Sequence, residues 1–277
     1  MVQKSLKKPF SFQGIGIHSG QFVQVTCLPA SANTGIVFRR LDLAGKEVAV
    51  NPKSLKLADR CTQLHWDGVD IFTPEHLLAA CAGLDIDNMV IEIDHAEVPI
   101  MDGSALAFSM GFLEAGIQDL SASVTPLVIT KPILVQDGDR YVMALPSPVS
   151  YFSYVLSYPD TFIGSQTVTT STSQFLSDIA PARTYGFEAE IQALLDRGLA
   201  QGGCLDNAVV IGKTGYLSEL RFPDELARHK TLDLMGDLWV LGRPILGHVI
   251  GVKSGHALNA RFVKELEKAP RLKSRLV

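Results

Sequence analysis

One order of elements occurs twice along the chain, and that repetition restricts the folds open to it. Residues 73–115 and residues 224–267 each read as helix, strand, helix, and each follows a cluster of strands. In the first copy, Thr73 is a predicted N-cap, Pro74 takes the first helical position where its missing N–H costs nothing, and Gly83 closes the helix. The strand "NMVIEI" ends at Ile93, and a second helix runs from Ser104 to Ala115, before Gly116. The second copy has a long helix over 224–241, a strand in "PILGHVIGVK" and a last helix over 256–267. Ahead of the first copy, "QFVQVTCLP", "GIVFRRLDL" and "KEVAVN" read as strands between residues 21 and 50. Ahead of the second, strands are predicted at 127–135, 140–146 and 150–158, followed by a polar Ser/Thr-rich stretch at 165–173. The pattern predicts an α+β protein of two topologically related halves, 1–122 and 123–277, dividing in the Ser/Thr/Pro stretch near 120–126. Identity between the halves is weak. Residues 186–217, with a predicted helix at 188–197 and the apolar run "NAVVI", have no counterpart in the first half. They read as an insertion, a kind of segment that tends to carry function.

Composition narrows the class. Of 277 residues, 47% are hydrophobic and 19% charged, which is enough for a core without disulfides. Cys27, Cys61, Cys81 and Cys204 form no C-x-x-C pair and fit reduced thiols. A net charge of −4 offers no global basic field for nucleic acid. The basic N-terminus "MVQKSLKKPFSF" lacks an apolar signal-peptide core, and no window reaches the ~18 apolar residues of a membrane span. These features predict a soluble, cytoplasmic protein without stable membrane insertion. The closing run of Lys268, Arg271, Lys273 and Arg275 reads as a solvated tail, or as a transient contact with an anionic membrane surface.

The segment "RHKTLDLMGD" places polar groups at helical spacing. With about 100° per residue, Asp233 lies ~40°, Asp237 ~80° and Lys230 ~100° around the helix from His229. Leu232, Leu234, Met235, Leu238, Trp239, Val240 and Leu241 occupy most of the remainder. The stripe is open to two readings, the solvent face of an amphipathic helix or a fixed chemical site. Short-armed His and Asp, in a stripe so narrow, favour the second. His-x-x-x-Asp can supply two metal ligands, and a catalytic metal usually needs a third.

Among the other histidines, His18, His65, His95 and His248 read as turn, strand or surface residues. His76 follows Glu75 in the first turn of the first helix. Glu75 is explained there by the helix dipole alone, or by its capacity to take a proton from a metal-bound water. His256 opens the last helix, where the dipole lowers its pKa and a carboxylate such as Asp237 would raise it.

Taken together, "TPEHLLAA", "AGLDIDN", "EVPIMDGSA", "ARTYGF", "RHKTLDLMGDL" and "SGHALN", with "GIGIHSG" and "TGIVFRR", strongly resemble the UDP-3-O-acyl-N-acetylglucosamine deacetylase family of lipid A biosynthesis, over about residues 10–267. The resemblance implies two α+β halves with helices packed between two sheets, and a second-half insert forming a hydrophobic passage for an acyl chain. It implies zinc ligands His76, His229 and Asp233, general base Glu75, general acid His256 and its orienting partner Asp237. It further implies Thr184 at the developing oxyanion, Lys230 as a cation beside the substrate, and Tyr185 and Phe187 in contact with the substrate. Tyr185 stands where the family commonly has phenylalanine. The implied reaction is hydrolysis of the N-acetyl group of a UDP-linked acylated amino sugar by a monomer. Two His and one Asp also suit iron(II). A non-catalytic binder of nucleotide sugars or acyl lipids, and a zinc amidase for another N-acyl sugar, are the alternative readings.

Overall fold

The computed structural model describes residues 1–58 and 60–268. Arg271, Lys273 and Arg275 of the basic run lie outside the described residues. Among the described residues no helix is long and apolar enough to cross a membrane.

Two five-stranded sheets share one topology. The first orders its strands Phe10–Ile15, Phe22–Pro29, Met89–Ile93, Ile36–Arg40, Lys46–Ala49. The second orders them Ile133–Asp137, Arg140–Leu145, His248–Val252, Tyr151–Tyr158, Gly164–Ser171. In each sheet the central strand arrives last in the chain and forms the sheet's single parallel pairing, Ile36 opposite Met89 and Tyr151 opposite His248. The other pairings are antiparallel. Parallel neighbours need a crossover, which carries one α-helix in the first sheet and three in the second.

The α-helices of the described residues are α1 (Glu75–Gly83), α2 (Leu106–Ala115), α3 (Phe175–Asp178), α4 (Glu188–Leu195), α5 (Glu225–Trp239) and α6 (His256–Glu267), of which α1, α3, α4 and α5 lie in the crossovers. Helix α2 packs on the first sheet and on α1, while α5 and α6 pack on the second sheet. Helices α1 and α5 meet between the sheets, so the layers run sheet, helices, helices, sheet. Both meeting helices are buried almost all round: every residue of α1 except Gly83, and every residue of α5 except Arg228 and Lys230. A polar group on either helix is therefore held in low dielectric and requires partners. Gly236 sets their spacing, because a Cβ there would lie 2.0 Å from the carbonyl oxygen of Glu75. Gly236→Ala is expected to cost about 1–3 kcal/mol by forcing the helices apart, read as a lower denaturation midpoint. An unchanged midpoint would show that the contact is not tight.

Several local details differ from the sequence reading. Helix α1 begins at Glu75, and Thr73 does not cap it. Thr73 has φ +56°, a strained region for a β-branched residue, and its hydroxyl donates to Glu97 Oε1 at 3.2 Å. The Ser/Thr-rich stretch is an edge strand, Gly164–Ser171, with Val168 and Thr170 buried on one face. The stretch predicted as one strand over 127–135 is two, Leu127–Val128 and Ile133–Asp137. Residues Ile117–Ser123 form a strand paired with Val2–Leu6. A three-stranded antiparallel sheet over Leu55–Leu57, Thr62–Trp66 and Val69–Phe72 has no forerunner in the sequence reading.

Candidate active site

The N-terminal turn of α1 and the middle of α5 face each other, so Glu75 and His76 meet the polar stripe of α5. His229 Nε2 lies 3.3 Å and His76 Nε2 3.6 Å from Asp233 Oδ1. The three ligand atoms fall within 4.8 Å of one another, and all three residues are buried. Three observations test the fit to a metal ion. His229 Nδ1–H donates to the Ala182 carbonyl at 3.1 Å, which leaves the lone pair on Nε2, toward Asp233. Burial, outweighing the Asp233 carboxylate, lowers the His229 pKa to about 3, so its ring is neutral as a ligand must be. Asp233 Oδ1, though buried, accepts no hydrogen bond from any described residue. The donor set fits a small divalent cation.

Lys230 Nζ lies 2.5 Å from Asp233 Oδ2 and 5.7 Å from the centre of the Tyr185 ring. Burial disfavours charge on Asp233, but the positive charge of Lys230 beside it acts the other way, and the carboxyl is held well below its usual range.

Beside this group sit a carboxylate and an imidazole with displaced pKa values. Burial raises Glu75 from 4.5 to about 7, against the pull of His256 and His76. His256 moves the other way. Burial disfavours its charge, yet Asp237 overcomes this and raises it to about 9. His256 Nδ1–H donates to Asp237 Oδ2 at 2.9 Å, and Asn259 Nδ2 donates to the same oxygen at 2.8 Å. His256 Nε2 points back to the site, 3.9 Å from both Glu75 Oε1 and Asp233 Oδ2. The dipole of α6 would disfavour the imidazolium, but the buried Asp237 carboxylate prevails.

The A-R-T triplet has a local reason. Ala182 orients His229, and Arg183 is clamped to the buried Glu225 at the start of α5, Nε to Oε1 at 2.9 Å and its amide to the same oxygen at 3.0 Å. Thr184 is then held by its own backbone, its N–H to Gly103 O at 2.7 Å and its carbonyl to Val209 N–H at 2.8 Å. Gly103, at φ +85°, also lets the Asn207 backbone pass close by, since a Cβ there would lie 1.9 Å from Asn207 O. Tyr185 meets the Tyr158 hydroxyl at 3.2 Å, and Phe187 packs edge-on against Tyr158 with ring centres 5.1 Å apart.

Glu75, His76, Thr184, Tyr185, Phe187, His229, Lys230, Asp233 and His256 all line one cavity of about 1010 Å³, and Asp237 stands behind His256. The 186–217 segment forms part of its wall, with Ile191, Leu194, Val210 and Leu217 turned into the space. Four features escaped the sequence reading. His18, read as an ordinary turn residue, lines the cavity, because Glu97 accepts the amides of His18 and Ser19 at 2.8 and 2.7 Å and fixes that loop. Asn259 and Thr62 both reach Asp237. The Arg183–Glu225 clamp is the fourth. The motifs "GIGIHSG", "ARTYGF" and "SGHALN" contain His18, Arg183 and Asn259 without singling them out, and Thr62 lies in none of them. His65 and His248 remain outside, paired with Asp70 and Ser153.

Fold and site together define a hydrolase with a group able to hold a metal ion in a deep, partly apolar cavity. The chain belongs to the LpxC family, UDP-3-O-acyl N-acetylglycosamine deacetylase, whose model matches residues 3–268. It is 43% identical to the UDP-3-O-acyl-N-acetylglucosamine deacetylase of Saccharophagus degradans, over 96% of this chain and 90% of that one. The enzymes of the same name from Leptospira biflexa and Thermosynechococcus vestitus are 41% and 38% identical, over 95% and 96% of this chain and 88% and 94% of theirs.

Proposed function

We propose that the chain hydrolyses the N-acetyl group of UDP-3-O-acyl-N-acetylglucosamine, releasing acetate and the free amine, in the committed step of lipid A biosynthesis. The observation that carries this reading is the convergence of the His76–His229–Asp233 group, Glu75 and His256 in one cavity. His76, His229 and Asp233 would hold zinc, and the same donors accommodate iron(II). When bound, such a cation lowers the pKa of a water in contact with it and polarises the amide carbonyl.

The chain's own residues supply the proton transfers. Glu75 takes a proton from the attacking water, for which a pKa near neutrality suits it. Thr184, and Lys230 beside it, offer a hydrogen bond and positive charge to the oxygen that becomes negative. His256, protonated and held by Asp237, gives its Nε2 proton to the departing nitrogen, because an amide anion is a very poor leaving group. Tyr185 and Phe187 contact the sugar nucleotide. The apolar wall of the insert receives the acyl chain, and the chain works as a cytoplasmic monomer that meets the membrane surface only transiently.

The test is acetate release from UDP-3-O-acyl-N-acetylglucosamine, followed across pH. Glu75 must be ionised and His256 protonated, so the rate rises as pH passes about 7 and falls as it passes about 9. A cation bound beside them favours the deprotonated forms and moves both midpoints down. No acetate release, with metal present, would refute the reading. A rate that climbs without an alkaline limb would refute His256 as the acid.

A further inference from the structure

The acid and the base of this site belong to different helices, and one residue outside both helices touches the machinery of each. Thr62 opens the strand Thr62–Trp66, is 3% exposed, and lies in the three-stranded sheet of the first half. Its amide N–H donates to Glu75 Oε2 at 3.2 Å. Its hydroxyl donates to Asp237 Oδ1 and stands 3.4 Å from His256 Nδ1. Its carbonyl accepts the amide of Thr73 at 3.0 Å, across the strained turn that starts α1.

The Asp237 carboxylate is thereby engaged on both oxygens, Oδ1 by Thr62 and, at 3.2 Å, by His256 Nδ1, and Oδ2 by His256 at 2.9 Å and by Asn259. Without the Thr62 hydroxyl, Oδ1 keeps only the longer His256 contact, so the carboxylate can rotate about the Asn259 contact, and the imidazole it holds rotates with it. Removing the hydroxyl donor from a buried carboxylate oxygen also carries a cost that favours rearrangement. Thr62 sits on the first half, whereas Asp237 and His256 sit on the second, so its hydroxyl also sets their distance from Glu75.

We propose that Thr62 is a positioning residue that holds His256, through Asp237, in register with Glu75; its catalytic consequence rests on the deacetylation proposed above. Its amide fixes the base and its hydroxyl fixes the acid. The two contacts separate experimentally, because substitution of the side chain leaves the amide in place.

The experiment compares Thr62→Val, which keeps the branched shape without the hydroxyl, with Thr62→Ser, which keeps the hydroxyl. Both are made in the full chain loaded with zinc. Four quantities are read: kcat, KM for UDP-3-O-acyl-N-acetylglucosamine, zinc per chain, and the NMR resonance of the His256 Nδ1–H proton. In T62V, kcat is expected to fall about 10- to 100-fold with KM within about twofold, the pattern of an interaction that matters in the transition state. Zinc content should hold, and the His256 resonance should move. T62S should restore both kcat and the resonance. Wild-type kcat in T62V, a T62S as slow as T62V, or an unmoved His256 resonance would each overturn the assignment. If the unsubstituted chain releases no acetate, the proposed function fails by itself. The resonance alone then decides on Thr62: displaced in T62V and restored in T62S supports it, and unmoved in T62V rejects it.

Discussion

Replacing His256 by alanine is expected to lower kcat by about 10²- to 10⁴-fold while the chain keeps its metal. The expectation follows from where the ring stands. Its Nδ1–H is tied to Asp237 at 2.9 Å, its Nε2 lies 3.9 Å from Glu75 Oε1, and its pKa near 9 keeps it protonated at neutral pH. Hydrolysis of an amide requires a proton for the nitrogen as the C–N bond breaks, and His256 faces this cavity with the Asp237 carboxylate behind it. His256 is not part of the His76–His229–Asp233 group that could hold a metal, so its loss should leave bound zinc at the wild-type ratio. Wild-type kcat with stoichiometric zinc in H256A would remove it from the mechanism and leave Glu75 to carry both proton transfers.

Asp233→Ala should act through the metal instead. Asp233 Oδ1 is the one atom that both His76 Nε2 and His229 Nε2 approach, and it is buried with no donor of its own. Without it, two imidazoles remain and the ligand set itself carries no negative charge. Metal affinity is expected to fall by more than the about 10- to 100-fold typical of losing an outer-shell partner. The variant also leaves Lys230 without its 2.5 Å partner, so some loss of stability is expected. Metal content after dialysis, measured on chain that is still folded, separates the two effects. Full occupancy would show that Asp233 is not a ligand.

How far the sequence anticipated the structure depended on the period of each element. Helix α5 was legible because Leu232, Leu234, Met235, Leu238 and Trp239 recur at helical spacing, and the polar stripe beside them then stood out. The two halves were legible through their repeated helix–strand–helix order, which the matching strand orders of the two sheets bear out. The edge strand 164–171 was hidden by composition: alternation is present, but Ser and Thr fill most positions, and only Val168 and Thr170 face inward. The strands at 55–72 were hidden by brevity, at three to five residues each. That brevity concealed Thr62, 175 positions from the aspartate it touches.

The site divides along the same line. His229, Asp233 and Asp237 were brought together by helical spacing alone, whereas Glu75, His76 and His256 needed the family resemblance to join them. Thr73 shows the opposite failure. Thr followed by Pro before an apolar run is a sound capping signal, yet the chain uses Thr73 in a left-handed turn pinned by Glu97 and Thr62. Local propensity gave way there to the placement of Glu75 and His76, a pattern common where backbone strain accompanies function.

The central claim is that the His76–His229–Asp233 group holds a metal ion on which deacetylation depends. The most direct measurement is acetate release from UDP-3-O-acyl-N-acetylglucosamine by chelator-stripped chain, before and after titration with zinc. The account predicts no turnover in the stripped chain and full recovery at one zinc per chain, with no recovery for Asp233→Ala at the same zinc concentration. Undiminished turnover in the stripped chain, or recovery that is equal in Asp233→Ala, would contradict it.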